Sequence, residues 1–218
     1  MYFSSRMQAG RMLASMMEPD YRYENCSIVA LDDGGVIVGA QIAMRLHCII
    51  TMMVMQEITL PREIKPIAGI GSGGKFTYNH EFSDGEIEEM VSENRGYLEE
   101  ERLHKFQELN RLLGSDGLMS SKILKHHTVI LVSDGLRSTI ELDMAAELIK
   151  PIAIDRLIVA TPFASVPIID MVHVMADAIF CLDVIDEPFE TTHYYDKNDI
   201  PDHNKIVKTI ENIILKWK

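Results

Sequence analysis

The period of the apolar positions changes twice in the first fifty residues. Phe3, Met7, Leu13, Met16 and Met17 recur at loose helical spacing, which predicts an amphipathic helix over 3–17 that Pro19 terminates. Residues 27–31 (SIVAL) form a short continuous apolar run, the pattern of a buried strand. Asp32-Asp33-Gly34-Gly35 then supplies turn chemistry, 36–46 returns to the helical period, and 48–55 is apolar again. Strand, turn, helix and strand within about thirty residues is the length of a βαβ crossover.

Between 61 and 79, β-branched residues flank Gly69, Gly71, Gly73 and Gly74, as in a hairpin that turns on GSGG. A flexible turn is a simpler reading of these glycines than a ligand loop. Ser83 followed by Glu86 is a capping-box pattern, and a long charged helix is predicted from there to about Leu113. Ile87, Met90, Val91, Asn94, Leu98 and Leu109 fall near one face of it, and Glu86, Glu88, Glu89, Glu99, Glu100 and Glu101 belong to a solvated exterior. In the second half, strands at 128–132, 156–160 and 178–182 alternate with helices at 139–149 and 167–175. That alternation predicts an α/β fold with a mainly parallel sheet flanked by helices.

Composition narrows the function classes. A chain of 218 residues, 47% of them hydrophobic, has material for one substantial core, so a single domain is expected. The formal charge of −12 argues against nucleic acid or an anionic membrane as partner, since both select positive surface. Cys26, Cys48 and Cys181 lie far apart in apolar runs and read as buried free thiols. Arg6 and Arg11 interrupt the opening apolar stretch, which excludes a secretory signal or membrane span there, and the cytoplasm is the expected location. The fourteen methionines read as core filler or a subunit contact. His126-His127 has no partner at metal-ligand spacing, and His173 sits in an apolar helix as a core histidine.

In an open parallel sheet, ligands bind beyond the C-terminal strand ends, which selects two loops: 32–35 and 133–141. Each follows a strand and precedes a helix, where outward-pointing amides ordinarily hold phosphate. The second loop reads Val132-Ser133-Asp134-Gly135-Leu136-Arg137-Ser138-Thr139-Ile140-Glu141. Near the start stand Phe3, Arg6, Ala9-Gly10-Arg11 and Leu13-Ala14, and near the end Glu187-Pro188-Phe189 and Tyr194-Tyr195. Taken together these segments resemble the type I phosphoribosyltransferases, in particular a bacterial branch with an FxxRxxAGxxLA opening and EPF and YY elements. The resemblance implies that fold, with a hairpin-plus-long-helix insertion or hood at 61–113, a homodimer, and a role in nucleotide metabolism.

The resemblance also shows where the chain departs from the family pattern. Active members carry V-[DE]-D-G-[ILV]-x-T-G-x-T, in which the acids meet the ribose of phosphoribosyl pyrophosphate and the Thr-Gly-x-Thr segment meets its 5′-phosphate. Asp134 and Gly135 are kept, while Ser133 replaces an acid, Thr139 a glycine and Glu141 a threonine. Where the branch has P-R-G-G and R-K, this chain has Asp32-Asp33-Gly34-Gly35 and Gln56-Glu57. A unit charge reversed at about 4 Å opposes a phosphate by roughly 4 kcal/mol at an effective dielectric near 20.

Three functional readings follow. The first is a catalytically degenerate protein with impaired phosphoribosyl pyrophosphate binding and a binding or regulatory role, its acidic crevice suited to a nucleotide-like or cationic small molecule. The second is an active Mg²⁺-dependent transferase to a nucleobase-like acceptor. Asp134 would then hold ribose, Arg137 would restore positive charge, and Asp32 and Asp33 are the candidate metal ligands. On either reading the substrate side comprises Asp33, Gly34, Gly35, Ser133, Asp134, Gly135, Leu136, Arg137, Ser138 and Thr139. The bland alternatives are that Asp32 and Asp33 form a solvated turn and that Asp134 caps the following helix. A dinucleotide-binding oxidoreductase is the third reading, and only Gly34, Gly35 and Gly39 stand for its G-x-G-x-x-G fingerprint. Tyr194-Tyr195 reads as packing rather than as a lid.

Overall fold

The two most uniformly apolar runs become neighbouring central strands, β1 (Cys26–Ala30) and β6 (Thr128–Val132), paired in parallel and buried at every position. Burial on both faces is why they read as continuous apolar runs rather than alternating ones. They belong to a five-stranded parallel sheet of order β2-β1-β6-β7-β8, completed by β2 (Ile49–Met52), β7 (Arg156–Ser165) and β8 (Ala178–Ile185). A second sheet of three antiparallel strands has the order β3-β4-β5, from β3 (Met55–Ile58), β4 (Ala68–Gly71) and β5 (Phe76–Tyr78). The helices are α1 (Arg6–Tyr21), α2 (Asp33–Leu46), α3 (Asp84–Glu93), α4 (Arg95–Leu113), α5 (Ile140–Ile149), α6 (Val166–Met175) and α7 (His203–Glu211).

This computed structural model describes residues 1–71, 74–113, 123–198 and 200–216. The chain divides into two compact units, one of residues 1–52, 119–137 and 152–218, the other of 53–118 and 138–151. The first holds the parallel sheet with α1, α2, α6 and α7, and the second the antiparallel sheet with α3, α4 and α5. No helix among the described residues is long and apolar enough to cross a membrane.

Several expected boundaries move for identifiable reasons. The opening helix begins at Arg6, because Ser5 caps it by accepting from the Gln8 amide, and Phe3 instead forms a parallel bridge with Tyr195. The helix also continues past Pro19 to Tyr21. Proline there disturbs only the last turn, which is anchored by the buried Tyr21 ring packed edge-on against Phe180. Asp32-Asp33-Gly34-Gly35 is not a free turn: Asp32 is the N-cap of α2 and the other three are its first residues. The apolar run 48–55 divides between β2 and β3, which belong to different sheets.

The hairpin expected at 61–79 is β4–β5, and positions 72 and 73 of its GSGG turn lie outside the described residues. The capping box at Ser83 is present in full, with Ser83 Oγ accepting from the Glu86 amide and the Glu86 carboxylate accepting from the Ser83 amide. The single charged helix is two, with Asn94 between α3 and α4, and of its expected apolar face Leu98 and Leu109 are buried. In the first unit, Gly10 lets α1 lie directly on α2, since a Cβ there would meet the Val38 carbonyl oxygen at 2.6 Å.

Candidate functional site

In the first unit, the segments after β1 and β6 bring Asp32, Asp33, Gly34 and Gly35 together with Ser133, Asp134 and Gly135. Asp32 accepts from the Gly35 amide through one oxygen, and the Ser133 hydroxyl donates to the other at 3.3 Å. Asp134 is 5% exposed, and a side chain at position 34 would collide with its carboxyl group. Glycine at 34 is therefore required by the approach of the Asp134 carboxyl, within the protein's own chain. The Asp32 and Asp134 carboxyls are neighbours, close enough for the charge of Asp134 to disfavour ionisation of Asp32.

Arg6 supplies the compensating charge. Its guanidinium is 1% exposed, donates from Nε to Asp134 Oδ2 at 2.5 Å and from Nη1 to Asn198 Oδ1 at 2.9 Å, and lies 4.4 Å from the Tyr195 ring centroid. Tyr195 in turn donates its hydroxyl to the Asp134 carbonyl at 2.5 Å. Burial and the neighbouring Asp134 charge push the Asp32 carboxyl well above the usual carboxylate range. Burial raises Asp134 as well, with Arg6 pulling it back. Burial, then the Asp134 charge, drives the Tyr195 phenol strongly upward. Asp33 faces His203 of α7, Nδ1 to Oδ1 at 3.0 Å. The row of carboxylates read from sequence is thus partnered from within the chain, and Asp32 is not a solvated turn residue.

The loop after β6 extends alongside β7. The Leu136 amide donates to the Phe163 carbonyl at 3.0 Å, the Ser165 amide donates to the Leu136 carbonyl at 3.2 Å, and Leu136 is fully buried. The Gly135 amide donates to Ser133 Oγ at 3.2 Å, and a Cβ at 135 would overlap the Phe163 ring. Asp134 does not cap α5: Thr139 is the N-cap residue, and no side chain of its own closes that end. Arg137 faces outward, 40% exposed and 3.5 Å from Glu190.

Ser138 and Thr139 belong to the second unit, in a separate polar cluster. The Thr139 amide donates to Glu81 Oε1 at 2.9 Å, and its hydroxyl is 2.9 Å from Asn79 Oδ1 and 3.2 Å from Asp143 Oδ2. Lys65 Nζ reaches Glu81 Oε2 at 2.6 Å. Burial alone would raise the Glu81 carboxyl, but Lys65 and the Thr139 amide hold it below its ordinary value. A carboxylate of the chain itself thus stands at the N-terminal end of α5, where an anion is favoured.

These contacts do not suit Mg²⁺. That ion takes carboxylates in octahedral geometry, whereas Asp32 is already engaged with Gly35 and Ser133, and Asp33 is taken by His203. No group of three or more potential metal ligands occurs among the described residues.

Sequence alone does not single out Arg6, Asn198, His203 and Glu81 as site residues. Arg6 carries two signals, its place in the FxxRxxAGxxLA opening and its position on the otherwise apolar face of an amphipathic helix. Tyr194 and Tyr195 are each 5% exposed and pack with Phe3 and Phe163, as expected of packing residues, and the Phe189 amide donates to the Tyr194 hydroxyl at 3.0 Å.

This architecture, a parallel sheet of order β2-β1-β6-β7-β8 with an acid-containing loop after β6, is a type I phosphoribosyltransferase-like fold. Among solved structures, TT1426 from Thermus thermophilus is similar over 100% of this chain and 99% of that one, at 21% identity and a TM-score of 0.67. A hypoxanthine phosphoribosyltransferase from Staphylococcus aureus is similar over 87% of this chain and 79% of that one, at 14% identity and a TM-score of 0.50. No family model and no curated protein matches the sequence.

Proposed function

We propose that this chain is a phosphoribosyltransferase-fold protein that does not use phosphoribosyl pyrophosphate and serves as a binding or regulatory protein. The observation that carries the reading is the engagement of Asp134: the acid expected to meet ribose is buried and paired with Arg6. Releasing it would leave the Arg6 guanidinium buried without its partner, a cost of several kcal/mol, about 3–5 for breaking such a pair. The loop amides support the same reading, since those of Gly135, Leu136 and Thr139 already have acceptors within the chain. A cationic ligand is disfavoured on the same ground, because Asp32, Asp33 and Asp134 each have an internal partner.

In this reading the chain works as one phosphoribosyltransferase-like domain with 61–113 as its insertion, inside the cell and as a homodimer. Of the residues proposed for the substrate side, Asp33, Gly34, Gly35, Ser133, Asp134, Gly135 and Leu136 serve the internal network, while Arg137, Ser138 and Thr139 are the remnant of a phosphate loop. Calorimetric titration of phosphoribosyl pyrophosphate with Mg²⁺ tests the proposal. No saturable heat is expected up to millimolar ligand; micromolar affinity, or release of pyrophosphate with a purine or pyrimidine base present, would overturn it in favour of an active transferase.

A further inference from the structure

The face of the first unit formed by α1 and α2 carries a cavity of about 670 Å³ whose charge is opposite to that of the whole chain. Arg11, Arg22 and Arg45 line it, together with Gln41, Met7 and Met44, and no carboxylate is among the lining residues. Glu18 serves two of the three arginines, pairing with Arg22 through Oε1 and with Arg45 through Oε2 at 2.6 Å. Arg11 hydrogen-bonds through Nε to the neutral Gln41 side chain at 3.2 Å. Among the described contacts a single carboxylate, that of Glu18, faces these arginines, which makes this face basic in a protein of net charge −12. With Gln41 Oε1 turned to Arg11, its amide NH₂ is a further donor.

We infer that this cavity binds an organic phosphate of nucleotide size. Planar guanidinium groups match phosphate oxygens in pairs, and a volume of this size lies within the range of about 300–1,000 Å³ common for small-molecule sites. Glu18 fixes two of the arginines before any ligand arrives, which lowers the ordering cost of binding. Met7 and Met44 give the organic portion an adaptable apolar surface, which free phosphate would leave unused. A second copy of the chain docked here about a two-fold axis would bring like guanidinium groups together, which disfavours self-association through this face.

The test is titration with adenosine diphosphate, with adenosine as the uncharged control. Saturable binding of the diphosphate alone is expected, weakened at least tenfold in the Arg11→Ala/Arg45→Ala variant. In the unmodified protein carrying ¹³C-methyl methionine, the Met7 and Met44 methyl signals should shift on addition of the diphosphate; this readout decides the matter if the double variant fails to fold. No saturable binding, an unchanged affinity in a folded double variant, or methyl shifts that leave Met7 and Met44 unmoved would overturn the inference. Co-sedimentation with phosphatidylglycerol vesicles that needs the two arginines, without binding of the diphosphate, would assign them to a lipid headgroup and overturn it equally.

Discussion

Replacing Arg6 by methionine removes the guanidinium that pairs with Asp134 while keeping an unbranched side chain of similar reach. Arg6 is 1% exposed and Asp134 5%, so water does little to replace the lost partner. Deleting one member of a buried ion pair costs about 3–5 kcal/mol, a large part of the roughly 5–15 kcal/mol by which domains are stable. The hydrogen bond to Asn198 and the stacking on Tyr195 are lost too, which places the expectation toward the upper end of that range. With a slope of about 1–3 kcal/mol per molar urea, the unfolding midpoint should fall by about 1 M or more at pH 7. The penalty should shrink on acidification, because a protonated Asp134 no longer needs a counter-charge. Asp134→Asn in the Arg6→Met background should recover most of the loss, giving a large coupling energy in the double-mutant cycle. A loss at pH 7 below about 1 kcal/mol, the range of exposed pairs, or two strictly additive substitutions, would refute the account of this network.

Asp32 gives a pH dependence of definite sign. Its folded-state carboxyl is raised, so the folded protein holds a proton that the unfolded chain releases; stability is full below the unfolded value and declines as pH rises through the folded one. Asp32→Asn, which can still accept from Gly35, should remove up to one proton's worth of slope, about 1.4 kcal/mol per pH unit, in denaturation series between about pH 4 and 8; an unaltered slope would assign the proton elsewhere. Gly135→Ala should destabilise by about 1–3 kcal/mol in thermal or urea unfolding, because the new methyl meets the Phe163 ring, and a neutral effect would mean that the loop is not seated on β7.

Much of the parallel sheet is legible in the chain because β1 and β6 are buried on both faces and the helices between strands keep a clear period. What sequence blurs is where elements stop. Strand β7 runs on past Pro162 through Thr161–Ser165, whose backbone pairs with β8 and with the loop after β6, and Pro19 is accommodated because a buried tyrosine holds the last turn of α1. Helix α7 carries its own signal, Ile206, Val207, Ile210 and Ile213 recurring at helical spacing in a mostly polar tail, and Ile206 and Ile213 are buried. At the candidate site, Asp134 and the glycines stand out locally by resemblance to a motif. Their pairing with Arg6 and His203 does not, since Arg6 is 128 positions from Asp134 and His203 is 170 from Asp33, and no local pattern encodes such a meeting. The carboxylates that read as an acidic crevice in the sequence are met by partners that only the folded chain brings to them.

The bridge between Phe3 and Tyr195, with the Arg6–Asn198 bond spanning 192 positions, also bears on how the chain matures. A ribosome delivers α1 long before the residues that receive it. Until residues 195–198 emerge, Arg6 lacks Asn198 and the aromatic shelf of Tyr195, and α1 rests on α2 with its first turn unfastened. Such late closure of distant segments is the costly kind in folding and lengthens the interval of exposed apolar surface. A nascent chain truncated before Tyr194 would depend on a chaperone to a degree that the completed one does not.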